Sequence, residues 1–319
     1  MNDSMSAELD FIASLRPLAT DPGARGLLDD TAVVELGGTI LVLSHDMIVE
    51  DVHFLRTDPP GDIAWKLVAV NVSDLAAKGA QPLGVLMAYS LKHDAEWDAE
   101  FVAGLDKALR AFGLVLFGGD TVALTPEAPR FLALTAIGRA SGTVPSRSGA
   151  RHGDSIWVSG TIGDAHAGLR IATGERNGAD ELLERYRLPR PRLEAGQRLA
   201  PIVTSMMDVS DGLLLDMRRI AEASGVGAVI DLETVPLSDA YLAYAGDDRG
   251  ARVSAARAGD DYELLFTAPH DRAVEILALS DELGLPLNRV GRIEAGAGLR
   301  LFDHGEEIPL PPQLGYEHH

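Results

Sequence analysis

The stretch IAWKLVAVNVSDLAAKG, residues 63–79, decides the fold, because apolar residues recur through it at the spacing of an α-helix. It lies between two apolar stretches, Thr39–Ser44 and Pro82–Leu91, whose lengths are typical of strands. Two further strands are predicted at Leu114–Phe117 and Phe131–Gly138. A helix between strands, followed by more strands, predicts an α/β (α+β) fold.

A change in composition divides the chain. Between Gly138 and Gly153 the residues are mostly Gly, Ser, Thr, Pro and Arg, without apolar periodicity, as in a linker. Beyond it, strands and helices alternate again, with strands predicted near Ser155–Ser159, Ser205–Asp208, Ala228–Asp231, Glu263–Thr267 and Arg289–Ile293. Because 319 residues exceed what one compact core usually serves, we expect two domains, residues 1–142 and 143–319.

The charge balance restricts the partners. Lys and Arg number 28 and Asp and Glu number 48, which gives a net charge of −20. Such a field repels phosphate backbones and anionic membranes, so we expect neither nucleic acid nor a membrane as partner. An anionic substrate requires a divalent cation in the acidic site.

The cysteine count limits the possible chemistry, and the N-terminal residues indicate the cellular compartment. The chain has no cysteine, which excludes disulfides, thiolate zinc sites and a cysteine nucleophile. Residues Met1–Leu15 carry Asp3, Glu8 and Asp10 in place of a basic segment leading into an apolar one. No apolar run reaches the length that spans a membrane, and we expect a cytoplasmic protein.

Carboxylates recur near the predicted ends of strands, where open α/β sheets commonly meet their ligands. Asp46 is predicted to close the strand that begins at Thr39, and Asp120 to follow the strand Leu114–Gly119. Each residue by itself is better explained as a solvated turn or a helix cap than as a ligand, since the chain has 48 acidic residues. The set, and not a single member, indicates a cation site; it comprises Asp30, Asp46, Asp120, Asp208 and Asp211.

Asp74 is the most informative single residue. It lies seven positions after Leu67 and four after Val70, and so shares an apolar face of the predicted helix. An interior carboxylate must be paired or bound to a metal ion. Lys66 is one candidate partner, but it does not share that face well, which favours a metal ion.

Two short motifs have both a structural and a functional interpretation. In Gly118-Gly119-Asp120-Thr121, glycines allow close approach of a nucleotide and the carboxylate could meet its magnesium, although the same residues form a good turn. In Asp208-Val209-Ser210-Asp211-Gly212, Ser210 or Asp211 could cap the following helix, which does not explain Asp208.

A glycine-rich phosphate loop ending in Lys-Ser or Lys-Thr is missing from the sequence.

Taken in order along nearly the whole chain, the motifs resemble those of the thiamine-monophosphate kinases. They are Asp29-Asp30, Ser44-His45-Asp46, His53-Phe54, Asn71-Val72-Ser73-Asp74-Leu75, Gly118-Gly119-Asp120-Thr121, Arg147-Ser148-Gly149, Asp208-Val209-Ser210-Asp211-Gly212 and Asp261-Tyr262-Glu263-Leu264. The resemblance implies the two-domain fold of the aminoimidazole-ribonucleotide synthetase superfamily. In that fold an N-terminal domain pairs with its twin in a homodimer and is followed by a C-terminal α/β domain.

The resemblance also implies site residues. Several magnesium ions would be held by Asp30, Ser44, His45, Asp46, Asp74, Asp120, Asp208 and Asp211. ATP would contact Phe112, Gly119, Asp120, Arg147 and Ser210. The substrate would contact His53, Asp260 and Gln313. The implied reaction transfers the γ-phosphoryl group of ATP directly to thiamine monophosphate, with no protein nucleophile or general base.

Three departures from the family pattern keep other functions open. His45 stands where threonine is usual, Asp260 replaces a glutamate, and Gln313 stands where an aromatic residue is common. One alternative is another ATP-dependent enzyme of the superfamily, acting on a different small phosphate or acid; its hydrogenase-maturation and selenophosphate branches rely on cysteine, which is missing here. Another alternative is a non-catalytic protein that binds a nucleotide or a thiamine phosphate.

Overall fold

The computed structural model describes residues 7–317, so residues 1–6 of the acidic N-terminal segment, including Asp3, lie outside the described part. Two sheets, each with its own helices, follow one another along the chain. The predicted mixed α/β fold is confirmed.

The first sheet has five strands in the order β1-β2-β5-β3-β4. Only the β3–β4 pair is parallel among these strands. The strands are β1 Ala32–Leu36, β2 Thr39–Val49, β3 Gln81–Leu91, β4 Val115–Ala123 and β5 Phe131–Ala140. The helices of this part are α1 Ala7–Leu15, α2 Pro60–Ala77 and α3 Ala95–Ala111.

Two of these strands are longer than the sequence indicated, and this changes the position of two carboxylates. β2 runs on to Val49 because it pairs with β5 from Ile40 through Val49, so Asp46 lies inside the strand and not at its end. β4 likewise runs to Ala123 and includes Asp120. The interpretation of both residues as following a strand end was wrong.

The second sheet has seven strands in the order β12-β11-β8-β10-β6-β9-β7, and only β8 and β11 are parallel within it. The strands are β6 Asp154–Ser159, β7 Ser205–Asp208, β8 Gly227–Asp231, β9 Leu264–Pro269, β10 Leu287–Glu294, β11 Gly298–Asp303 and β12 Glu306–Ile308. The helices are α4 Asp164–Ala172, α5 Asp180–Arg187, α6 Leu193–Leu199, α7 Leu213–Ser224, α8 Asp239–Ala245, α9 Arg249–Ala256 and α10 Ala273–Leu283.

Helix α2 is buried on nearly every side, since it packs on β2 and β5 with one face and on α6 and β7 with another. Gly196 of α6 shows how close the second contact is, because a Cβ atom there would lie 1.9 Å from the carbonyl oxygen of Ala76. Burial of this kind makes α2 the element that joins the two sheets. Polar side chains on α2 must therefore find partners inside the protein.

The other face of the first sheet is open and apolar. β4 is exposed along its whole length, and Leu116 retains 49% of its accessible surface. Met47 of β2 and Leu86 of β3 are also exposed, at 51% and 43%, on the face of the sheet that carries His45. Large exposed apolar side chains of this kind are typical of a surface that binds another protein.

Candidate functional site

Three carboxylates from distant parts of the chain meet between the two sheets. Asp30 lies just before β1, Asp74 in the last turn of α2, and Asp208 at the end of β7. One oxygen of each lies within 4.8 Å of the others. Asp74 and Asp208 are buried, and the Asp30 side chain is 4% exposed. We call these three residues the acidic cluster.

The acidic cluster carries negative charge that the surrounding protein only partly balances. Burial raises the pKa of Asp74 well above its usual value, and the nearby Asp46, Asp208 and Asp30 raise it further. Burial, with the charge of Asp30, raises the pKa of Asp208 to about 8. Buried carboxylates of this kind are the oxygen ligands that a divalent cation prefers, so the cluster fits Mg²⁺.

Hydroxyl groups supply the hydrogen bonds that the two buried carboxylates receive. Ser44 of β2 donates to Oδ2 of Asp74 at 2.5 Å, and Ser73 of α2 donates to Oδ2 of Asp208 at 2.5 Å. Both bonds favour the charged form of their carboxylate. The alternative in which Asp74 pairs with Lys66 is wrong, because Nζ of Lys66 lies 2.8 Å from Oδ2 of Asp260.

Asp30 differs from the other two members because two cations adjoin it. Nζ of Lys78 donates to its Oδ2 at 2.6 Å, and Nε of Arg147 donates to its Oδ1 at 2.8 Å. Burial by itself raises the pKa of Asp30, but the charges of Arg147 and Lys78 outweigh burial and hold this pKa well below its usual value. Lys78 also donates to Asp29 at 2.6 Å.

Strand β2 presents alternate residues to the acidic cluster. Ser44 and Asp46 point toward α2, where the side-chain oxygen of Asn71 accepts the backbone N–H of Asp46 at 2.9 Å. Burial, followed by the charge of Asp30, raises the pKa of Asp46 to about 6. His45 lies on the opposite face of the sheet because successive strand residues alternate, and its Nδ1 is 2.8 Å from Oγ1 of Thr135.

Asp216 of α7 fixes the segment that follows β7. Gly212, and neither Ser210 nor Asp211, is the N-cap of α7, so the capping interpretation of those two was wrong. Asp216 of α7 accepts the backbone N–H groups of Asp211 and Gly212 at 3.1 and 3.2 Å. Arg219 then bridges Asp211 at 2.5 Å and Asp216 at 2.8 Å. This arrangement fixes Asp211 beside Asp208.

The three substrate positions implied by the resemblance line one cleft with the acidic cluster. The cleft has a volume of about 1500 Å³, and His53, Asp260 and Gln313 lie along it together with Arg147 and Ser210. The backbone N–H of Val49 donates to Nδ1 of His53 at 3.1 Å. Oε1 of Gln313 accepts a hydrogen bond from Arg257 at 3.3 Å.

Asp120, Gly119 and Phe112 lie away from the cluster within one chain. Asp120 is in register with Ala88 of β3, Ala133 of β5 and Met47 of β2, so it lies three strand spacings, about 14 Å, from β2. Gly119 has a packing reason to be glycine, because a Cβ atom would lie 1.9 Å from the carbonyl oxygen of Met87. The ring centroid of Phe112 lies 5.0 Å from that of Trp65.

Sequence reasoning assigned no role to Lys78, Asn71 or Asp216. Lys78 follows two alanines at the end of α2, and only its burial shows that it belongs to the site. Asn71 could have been found, because it precedes Asp74 by three positions on the same buried helix. Asp216 carried one signal, since it is the acidic residue in the first turn of a helix that follows Asp208 and Asp211.

The comparisons with known proteins first define a class. A family model described as AIR synthase related protein, N-terminal domain, matches residues 28–140, and its C-terminal counterpart matches residues 151–304. The two sheets and the cleft between them therefore belong to a protein of the AIR synthase-related class.

Closer relatives then identify the family. The thiamine-monophosphate kinase of Caulobacter vibrioides is 38% identical, with 98% of this chain and 90% of the relative covered. A solved structure described as AaThiL complexed with AMPPCP and TMP superposes with a TM-score of 0.85 at 29% identity, covering 100% of both chains. The thiamine-monophosphate kinase of Stenotrophomonas maltophilia K279a gives a TM-score of 0.76 at 35% identity, with 96% and 98% covered. The chain belongs to the thiamine-monophosphate kinase family.

Within residues 7–317 there is no helix both long enough and apolar enough to cross a membrane.

Proposed function

We propose that this chain is an ATP-dependent kinase that converts thiamine monophosphate into thiamine diphosphate. Its family membership supports the reaction, and a solved relative is described in complex with an ATP analogue and TMP. The observation in this chain that carries the proposal is the acidic cluster of Asp30, Asp74 and Asp208 in the wall of the cleft. Its uncompensated charge requires a cation before two anionic substrates can enter.

The acidic cluster would hold Mg²⁺, and further sites would be completed by Ser44, which donates to Asp74, and by Asp46 and Asp211, which line the same cleft. When bound, Mg²⁺ would neutralise the phosphate oxygens of both substrates and let them approach each other. The side chains that the structure places there suit this role, because they are carboxylates and hydroxyls fixed by hydrogen bonds. His45 would take part only through its backbone, since its side chain lies on the other face of β2.

The cations of the cleft have separate tasks in this proposal. Arg147 presents a planar guanidinium beside Asp30, where it can also bind phosphate oxygens of ATP. Lys78 is buried between Asp29, Asp30 and the carbonyl oxygen of Met206, so it fixes the position of Asp30 and does not reach a ligand. No general base is required, because the acceptor phosphate is already ionised at neutral pH.

The open face of the first sheet supports a homodimer. Met47 and Leu86 are exposed apolar side chains on this face, and β4, which carries the exposed Leu116, is an unpaired sheet edge. Asp120 lies in that strand, about 14 Å from β2 by the sheet spacing. A partner subunit packed on this face would bring its own β4 toward this chain, which is how Asp120, Gly119 and Phe112 would serve an ATP site.

Two further expectations are part of the proposal. The domain boundary between residues 142 and 143 agrees with the position of the segment that joins β5 to β6. A cytoplasmic location agrees with a thiamine-phosphate kinase that takes ATP as its co-substrate.

A steady-state assay with ATP, Mg²⁺ and thiamine monophosphate tests the function. The proposal predicts equal amounts of thiamine diphosphate and ADP, and loss of both with a chelator. ADP formed only with another small phosphate or acid would favour a different enzyme of the superfamily. Binding of both ligands without any product would favour the non-catalytic alternative.

A further inference from the structure

We propose that Lys66 is a positioning residue for thiamine monophosphate, which aligns the two substrate-side groups His53 and Asp260 from opposite halves of the protein. The inference rests on the proposed function and deepens it. Lys66 belongs to α2 of the first sheet's unit, and Asp260 precedes β9 of the second. Both His53 and Asp260 line the cleft.

Lys66 contacts both substrate-side groups and an aromatic ring. Its Nζ donates to the backbone carbonyl oxygen of His53 at 2.9 Å and to Oδ2 of Asp260 at 2.8 Å. The same atom lies 4.3 Å from the ring centroid of Tyr186, in a cation–π contact. Of the three N–H donors of the ammonium group, two have oxygen acceptors, and the group also lies against the Tyr186 ring. Lys66 therefore acts through its neighbours and does not itself bind a phosphate.

Burial makes this arrangement rigid. The Lys66 side chain is 3% exposed, so water cannot solvate its ammonium group. The charge is therefore stabilised by these protein partners. Tyr186 in turn donates its hydroxyl to Oδ2 of Asp58 at 2.9 Å, and Arg187 donates to Oδ1 of Asp58 at 3.0 Å. Asp58 lies just before α2, whereas Tyr186 and Arg187 belong to α5. This network ties the two halves together around Lys66.

The backbone at Asp260 is fixed in a conformation that few residues adopt. Asp260 has φ +71° and Tyr262 has φ +51°, both in the left-handed region. The N–H of Asp260 donates to the carbonyl oxygen of Ser210 at 2.8 Å, and the Tyr262 hydroxyl donates to Oδ1 of Asp260 at 3.1 Å. Lys66 holds the other carboxylate oxygen. Asp260 is thereby oriented as an acceptor for an amino group on the ring system of the substrate.

The experiment compares Lys66→Met with Lys92→Met. Lys92, whose side chain is 16% exposed, is the control, because it too donates to a carbonyl oxygen, that of Ala128, at 2.7 Å and lies near a carboxylate, Glu50, at 3.9 Å. We expect Lys66→Met to raise KM for thiamine monophosphate about tenfold, the value of one charged hydrogen bond. KM for ATP should stay within about twofold, and Lys92→Met should change neither constant.

A double-mutant cycle shows whether Lys66 acts through Asp260. The cycle consists of Lys66→Met, Asp260→Asn and the double variant. The double variant should raise KM for thiamine monophosphate no further than the more damaging of the two single variants. Additive effects would contradict the proposal, as would equal losses for both substrates. If Lys66→Met does not fold by circular dichroism, Lys66→Gln, which removes the charge but keeps two N–H donors, serves instead, with the same expectation.

The outcomes separate this inference from the proposed function. Wild-type protein that forms thiamine diphosphate while Lys66→Met keeps a normal KM for thiamine monophosphate overturns the role of Lys66 alone. Wild-type protein that forms no thiamine diphosphate overturns the function, and the positioning role falls with it.

Discussion

The hydroxyl of Ser73 donates a 2.5 Å hydrogen bond to Asp208, a residue 135 positions further along the chain. Ser73 lies on α2 and Asp208 at the end of β7, so this bond crosses from one sheet's unit to the other. Asp74, the next residue on α2, belongs to the acidic cluster with Asp208. The candidate metal site therefore forms only when the two halves are packed together.

Replacing Asp74 by Asn should nearly abolish activity and leave the fold intact. The amide keeps the shape of the carboxylate but removes its charge, and one metal ligand is worth several kcal/mol at the transition state, so kcat/KM should fall about a thousandfold. Steady-state kinetics and circular dichroism measure the two effects. Asp239→Asn, at an exposed position on α8, is the control, and full activity of Asp74→Asn with excess chelator would refute the role of Asp74.

The metal-free protein should lose stability as pH rises from about 4 to about 8. The pKa of Asp208 rises from its ordinary value of 3.8 to about 8 in the folded state, mainly through burial, so the folded protein binds the proton more tightly than the unfolded chain. Ionisation across this window then favours unfolding. Asp208→Asn should flatten this fall in melting temperature, and Mg²⁺ should restore wild-type stability at pH 8.

Calorimetry at several pH values measures this effect. Asp239→Asn serves again as the control, because an exposed carboxylate should leave the pH slope unchanged. An identical slope for Asp208→Asn and wild type would contradict the account of the buried carboxylate.

The protein should be a dimer whose interface includes β4. Light scattering at micromolar concentration should give twice the chain mass of 33.9 kDa. Leu116→Asp places a charge on the exposed edge strand β4 and should give the mass of one chain, with loss of activity. Val274→Asp, at a position that is 80% exposed on α10, should remain dimeric. A mass near 33.9 kDa for the wild type would refute the dimer.

Replacing Gln313 by Trp should improve recognition of thiamine monophosphate. Gln313 lines the cleft and offers only an amide face to a substrate ring, whereas stacking on an aromatic ring gains on the order of 1 kcal/mol, or about fivefold in KM. KM for ATP should remain nearly unchanged. If ATP use is impaired, or both constants stay the same, the C-terminal segment around Gln313 does not contact the substrate.

The sequence predicted the elements better than their ends. Periodicity alone predicts the helix at residues 63–79, and the structure has it at Pro60–Ala77. The predicted end of β2 was wrong. The strand extends to Val49 because it pairs with β5, about 90 residues away, and local composition does not indicate that pairing.

Site residues could be predicted only where local sequence carries the signal. Asp74 could be identified because a carboxylate on an apolar face of a helix needs a partner. Lys78 could not, since its partners Asp29 and Asp30 lie 49 and 48 residues earlier and meet it only in the folded chain. The role of Asp120 stays a prediction, because its strand is exposed and its contacts in the proposed dimer would come from a second subunit.

Direct transfer between the two substrates is the central claim, and a rapid-quench experiment with [γ-³²P]ATP tests it most directly. Enzyme in excess over ATP, with Mg²⁺ and thiamine monophosphate, should move the label from ATP into thiamine diphosphate in a single turnover. The protein itself should stay unlabelled, and a chelator should stop the transfer. Labelled protein that forms and decays at the rate of turnover, or label released only as inorganic phosphate, would contradict the account.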